Sequence, residues 1–114
     1  ALYQLLIKGL VERELPISWA ARLLAANPAR LFRIGQAKGA LALGRDADIT
    51  VMAHDPRRYD PARSGHNFVG WSPYEGIELP YRPVATFLRG ELIFDGKDVL
   101  AAPGSGRFVS PARH

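Results

Sequence analysis

The sequence predicts a mixed α/β chain in which helices come first and strands follow. Two observations predict this order. Apolar residues recur at spacings of three and four up to about residue 36, and from Lys38 onward they alternate or run in short stretches between glycine turns. A third sets the scale: 114 residues, 47% hydrophobic and 23% charged, give material for one modest core.

Leu2, Leu5, Leu6, Ile7 and Leu10 fall on one helical face, with Gln4, Lys8, Glu12 and Arg13 opposite. Pro16 cannot continue this helix, because it lacks an amide and its ring clashes with the preceding turn. Ser18 is placed to N-cap a second helix running through Trp19, Ala20, Leu23 and Leu24. Asn27 ends that helix, since the residue before a proline is pushed out of helical geometry. Asn27 then caps a short third helix with Pro28 at its first position, and Gly35 stops it. Helices joined this tightly belong to a packed layer.

Ala40–Leu43 and Ala47–Ala53 flank a Gly44-Arg45-Asp46 turn, which reads as a hairpin or a corner between strands, and Asp55-Pro56 closes this section. Residues 57–83 are rich in proline, glycine and aromatics without sustained periodicity. With Tyr59, His66, Phe68, Trp71, Tyr74 and Tyr81 this stretch is too apolar for a disordered linker, and it reads as an ordered loop packed on something. Val84–Arg89 and Glu91–Phe94 form a second strand pair around Gly90, and Asp95-Gly96 supplies a turn. The remainder meanders along the surface. Gly39, Gly44, Gly76, Gly90 and Gly96 sit where turns need a positive φ or a close backbone approach.

Composition excludes several function classes. There is no cysteine, hence no disulfide framework and no thiolate metal site. No apolar run is long enough to cross a bilayer and no leader-like segment opens the chain, so a cytoplasmic protein is expected. The formal net charge of +4 is carried mainly by arginine, but the arginines are scattered. Only Arg57-Arg58 are adjacent, in a Pro/Asp-rich stretch without interleaved stacking aromatics, so neither nucleic acid nor a membrane is expected as partner.

Four blocks carry a more specific signal. They are Asn27-Pro28-Ala29-Arg30-Leu31-Phe32 with Lys38-Gly39-Ala40 and Gly44-Arg45-Asp46-Ala47-Asp48-Ile49; Ser72-Pro73-Tyr74-Glu75-Gly76; Thr86–Glu91 leading to Asp95-Gly96; and Gly104–Phe108. In this order and spacing they resemble the cyclic amidohydrolases: dihydroorotases, allantoinases, hydantoinases and dihydropyrimidinases. The resemblance covers nearly the whole chain. It implies that residues 1–36 are the closing helices of a (β/α)8 barrel. Residues 37–114 would then be the C-terminal portion of a small β-sandwich with a long ordered loop at about 57–83.

The same resemblance implies a binuclear zinc centre bridged by a carboxylated lysine in the full-length relative. There a metal-bound hydroxide attacks a ring carbonyl and an aspartate moves the proton. The family's His-x-His pair, bridging lysine and aspartate all belong upstream of this segment. Here His54, His66 and His114 are too far apart to form a ligand pair, and Lys8, Lys38 and Lys97 are wrongly placed for the bridge. Asp46 and Asp48 share a face but have no histidine or third carboxylate nearby, so they are expected to cap turns and pin the strand. No Gly-x-Ser-x-Gly elbow or phosphate-binding loop is present. The expected lists of catalytic, metal and substrate-binding residues are therefore empty for this chain.

Ala1 is not an initiator methionine, Met52 lies inside a strand, and the first helix has no lead-in. The expectation is a piece of an enzyme, inactive alone, with unpaired strand edges and a bare apolar face over Leu2–Leu10. It should self-associate or persist beside the missing N-terminal barrel portion. The alternative is a self-standing assembly or binding module derived from the same fold.

Overall fold

The computed structural model describes residues 2–63 and 68–113. A helical segment packs on one face of a three-stranded antiparallel sheet of order β1-β2-β3. The helices are α1 (Leu2–Glu12), α2 (Ser18–Ala21) and α3 (Asn27–Leu31); the strands are β1 (Ile49–Arg58), β2 (Glu78–Leu88) and β3 (Glu91–Phe94). Ala1, Ser64, His66 and His114 lie outside the described residues.

Helix α1 forms where the apolar period requires, and it buries Ile7 and Leu10, which are 3% and 5% exposed. They pack with Ala20, and Leu6, Leu15, Met52 and Tyr81 close the cluster. The face expected to be bare is thus largely covered by the chain's own sheet, while Leu2 stays exposed. Gln4, expected on the solvent side, is half-buried and its Nε2 donates to the Tyr81 carbonyl at 3.2 Å.

Both helix stops differ in detail from the sequence expectation. Helix α1 ends at Glu12, before Pro16, and Glu14 follows at φ 55°, where the Leu15 amide donates to Leu10 O and the Glu14 amide to Val11 O. Arg33, with φ 58°, ends α3 in the same way: the Ile34 amide donates to Ala29 O and the Arg33 amide to Arg30 O. This is the paired-bond C-terminal motif that usually selects glycine. Here charged residues take the left-handed position, so Gly35 is not the stop.

Ser18 does not cap α2 with its side chain, and the turn opens earlier, with the Trp19 amide donating to Pro16 O and that of Ala20 to Ile17 O. Nor does Asn27 end a helix. It is helical, at φ −66° and ψ −47°, and α2 runs into α3 through a π turn at Arg22–Ala26. The wider turn has a physical cause. Pro28 has no amide and its ring would strike the carbonyl four residues back in a regular α-helix. A π turn just ahead makes room, and the helix passes through the proline.

The sheet departs from expectation at three places. Ala40–Leu43 is not a strand. Among the described residues no strand lies beside it, Ala42 O accepts the Arg45 amide in a turn, and Leu43 is 105% exposed. β1 runs through Asp55-Pro56 rather than stopping there, because a register shift between His54 and Arg57 absorbs the proline. β2 begins at Glu78, so the irregular stretch expected over 57–83 shrinks to what lies between β1 and β2. Pro80 and Pro83 are tolerated because β3 pairs with β2 only at Thr86–Leu88. At the prolines β2 has a neighbour on one side, leaving the other free for a residue with no amide.

The β2–β3 hairpin forms as expected, with Arg89 and Gly90 both at positive φ in a two-residue turn. Asp95 Oδ1 accepts the amides of Lys97 and Asp98, which fixes the next turn. The tail then crosses the surface, and the Ala112 amide donates to Arg33 O at 2.7 Å. Phe68, Val69, Trp71 and Tyr74 in the loop before β2 are exposed, whereas Tyr59 and Tyr81 of the same aromatic stretch are half-buried.

Gly39 marks where the chain leaves the helices. A Cβ there would lie 2.4 Å from Ala29 Cβ and 2.9 Å from Ala25 O, at φ +88°. Gly90 has a similar φ of +81°, but a Cβ would meet nothing nearer than Ala47 Cβ at 4.0 Å. Gly90→Ala should therefore cost only left-handed strain, about 1 kcal/mol. Gly39→Ala adds a backbone clash and should cost about 3 kcal/mol or more. Urea titration of the two variants checks the ranking, and equal losses would remove the close approach as a constraint.

Candidate functional site

The chain passes from helices to sheet through residues 37–48, and its most connected polar cluster is built there. Lys38 Nζ lies 2.8 Å from Asp46 Oδ2 and 2.5 Å from Asp48 Oδ2. Asp48 Oδ1 accepts the Arg89 amide at 2.9 Å, and the Gly90 amide donates to Ala47 O at 2.9 Å. The Asp46 amide donates back to Ala37 O. Two carboxylates and one ammonium thus fasten the crossover segment to the β2–β3 turn. The role expected of Asp46 and Asp48 from sequence, pinning turns and strand, matches this geometry.

Lys38 as their partner was missed. The available signal was a lysine eight and ten residues before two aspartates, across a glycine-marked turn.

This arrangement shifts both ends of the pair. Bonds from Asp46 and then Asp48 hold the Lys38 ammonium above the usual lysine range. Burial alone would push Asp48 upward, but the Lys38 bond, the Arg89 amide and the two nearby positive charges outweigh it and leave the carboxyl below its ordinary range. Both shifts favour the charged forms of Lys38 and Asp48, which is what an ion-pair tie requires.

A mostly apolar cleft of about 450 Å³ opens beside it, between the helices and the start of β1. Tyr3, Ile7, Ala21 and Met52 line it, with Asp46 and Asp48 at its edge. Among the described residues no three His, Cys, Asp or Glu side chains come together as a metal site. His54, expected after a strand end, lies inside β1 opposite Tyr81, their ring centroids 5.2 Å apart in an edge-on contact. The described donor set therefore does not fit a binuclear zinc centre. Among the described residues no helix is long and apolar enough to cross a membrane.

The shifts fix the pH dependence. Asp48, lowered on folding, contributes stability above the ordinary carboxylate pKa of about 4, and that contribution is lost as pH falls through its folded value. Lys38, raised on folding, contributes fully below about pH 10.4 and loses it as pH rises through its own folded value. Asp48→Ala should cost about 1 kcal/mol near pH 7 and flatten the acid limb. Asp48→Asn, which still accepts the Arg89 amide, should cost less. Urea midpoints measured from pH 3 to pH 9 read both effects, and an unchanged acid limb in Asp48→Ala would contradict the tie.

Comparison with known proteins gives the relatives. No protein-family model matches the chain. A dihydroorotase of Methanosarcina mazei is 35% identical over 95% of the chain, and an allantoinase of Rubrobacter xylanophilus is 38% identical over 96%. The L-hydantoinase (dihydropyrimidinase) structure from Arthrobacter aurescens superposes with a TM-score of 0.78 at 31% identity, over 90% of the chain. The chain spans 24% of the length of each of the first two and 23% of the third. Carrying the fold of a hydantoinase segment over nearly its whole length, the chain belongs to the cyclic amidohydrolase family as a part of such a protein.

Proposed function

We propose that this chain is the scaffold portion of a metal-dependent hydrolase that opens cyclic amide rings of the hydantoin, dihydropyrimidine, allantoin or dihydroorotate type. In this reading residues 1–36 close the barrel and residues 37–114 contribute the C-terminal part of the sandwich. The zinc ions, the carboxylated lysine and the proton-transferring aspartate are supplied by the barrel portion of the same parent.

One observation carries the reading: a chain with the fold of a quarter of a hydantoinase leaves its surfaces unfinished in a consistent way. β1, at the edge of the sheet, has no second neighbour among the described residues. Leu41 stands exposed at the apolar cleft, and Leu31, Phe32, Leu43, Phe68 and Trp71 are exposed as well. A free strand edge and apolar side chains in water are costly alone and useful against a partner. The partner with matching requirements is the barrel portion. A self-associating module of the same fold would use the same surfaces, and the experiment separates the two.

The 114-residue chain alone should give no ring opening with hydantoin, allantoin or dihydroorotate, and no stoichiometric zinc by metal analysis. Sedimentation should show self-association, replaced by a one-to-one complex when the parent's barrel portion is co-expressed. Leu41→Asp with Leu43→Asp should weaken that complex. Turnover with bound zinc in the chain alone would overturn the scaffold reading. A monodisperse, cooperatively unfolding monomer that ignores the barrel portion would overturn the partner reading.

A further inference from the structure

The second cleft of the molecule, about 340 Å³ at the far end of β1 and β2, is lined by Arg57, Arg58, Arg63 and Arg82 together with Asp55 and Asp60. In a regular strand Arg57 and Arg58 would point to opposite faces, because side chains alternate. The irregular register after His54, where Asp55-Pro56 is accommodated, ends with both arginines lining one cleft. β2 adds Arg82 from across the sheet, and the 3-10 turn Pro61–Arg63 adds the fourth.

The acidic side chains do not balance this set. Asp55 Oδ2 takes Arg82 Nε at 2.6 Å and Arg57 Nη2 at 2.9 Å, so one carboxylate oxygen holds two guanidinium groups together. Asp60 Oδ1 accepts the Ala62 amide at 2.9 Å and is committed to its own turn. Arg58 Nη1 donates to Gly76 O at 3.2 Å, which fixes the side chain without neutralising it. Arg63 has no ion pair among the described residues. Four arginines against two aspartates leave a formal excess of two positive charges in one concave place. Each guanidinium has five N–H donors, and Asp55 engages a single nitrogen of each of its two partners.

We propose that this arginine cleft is a binding site for a phosphoryl oxyanion, either free phosphate or the phosphate of a small organic molecule. Guanidinium forks match tetrahedral oxyanions through paired N–H bonds, and arginines already gathered by Asp55 need little further ordering. The two lysine clusters of the chain differ in kind: Lys8 pairs with Glu12, and Lys38 is outnumbered by two carboxylates. The site stands apart from the crossover tie, and it does not depend on the scaffold reading.

The test is calorimetric titration of the 114-residue chain with sodium phosphate and, separately, AMP, at fixed ionic strength set with chloride. Saturable one-to-one binding of at least one of them, with a dissociation constant below about 1 mM, is expected. Preference for inorganic phosphate assigns the free ion, and preference for AMP assigns the organic phosphate. Arg57→Gln with Arg63→Gln should weaken binding about tenfold or more. Arg63→Gln alone, an exposed change outside every strand, should weaken it about threefold without disturbing the fold. Arg30→Gln with Arg45→Gln removes the same charge elsewhere and should leave affinity unchanged. Absence of saturable binding, or an equal loss in the Arg30/Arg45 control, overturns the proposal.

Discussion

Lys38 reaches Asp46 and Asp48 at the point where the backbone leaves the helices for the sheet, and the geometry around it depends on that grip. The buried apolar cluster of Ile7, Leu10 and Ala20 is small and lies on one side of the interface. Apolar contact is non-directional, so a cluster of this size holds the layers together without fixing their angle. The crossover supplies the missing direction. Gly39 lets the backbone lie against Ala25 and Ala29, Lys38 draws the two carboxylates back toward the helices, and Asp48 passes the constraint to the Arg89 amide. Helix, crossover and hairpin turn are thereby linked through three consecutive short bonds. Because the cluster is partly open to solvent, its energetic share is modest and its directional share is the larger one.

Much of this was legible in the sequence, for identifiable reasons. Helix α1 follows from the spacing of Ile7 and Leu10, and the β2–β3 hairpin from strand formers around Arg89-Gly90. The positive φ at Gly39, Gly44, Gly76, Gly90 and Gly96 follows from turn chemistry. These features are decided within a few residues. What failed was decided at a distance. Asn27-Pro28 was read as a helix boundary, Asp55-Pro56 as a strand end and the proline-rich stretch 57–83 as irregular, and in each case neighbouring structure absorbed the proline: a π turn before Pro28, a shift of register at Pro56, a one-sided stretch of β2 at Pro80 and Pro83. Local rules for proline state a cost, and tertiary context decides whether a nearby irregularity offsets it.

The polar clusters show the same division. Asp46 and Asp48 were expected to pin turns and strand, but their partner required knowing how the turn after Gly39 folds back. Asp55, Arg57 and Arg82 are harder still. Arg82 is 27 residues from Asp55, and only the antiparallel register of β1 on β2 brings them together. Charge counting had treated the arginines as scattered. Scatter along the chain does not prevent gathering on a sheet, where pairing places residues of distant number side by side.

Ala40–Leu43 bears on why this chain was easier to place in a family than to credit with an activity. Its apolar alternation is that of a strand, yet a strand exists only beside another, and the described chain offers none there. Hydrophobicity records that a surface is to be covered without recording which chain covers it. By contrast, the Gly39 approach, the Lys38 tie and the hairpin turn impose steric and electrostatic demands that particular residue types meet. Those residues lie in the blocks on which the sequence resembles dihydroorotases, allantoinases and hydantoinases. They are demands of architecture, so a family can be read from them without reading an activity.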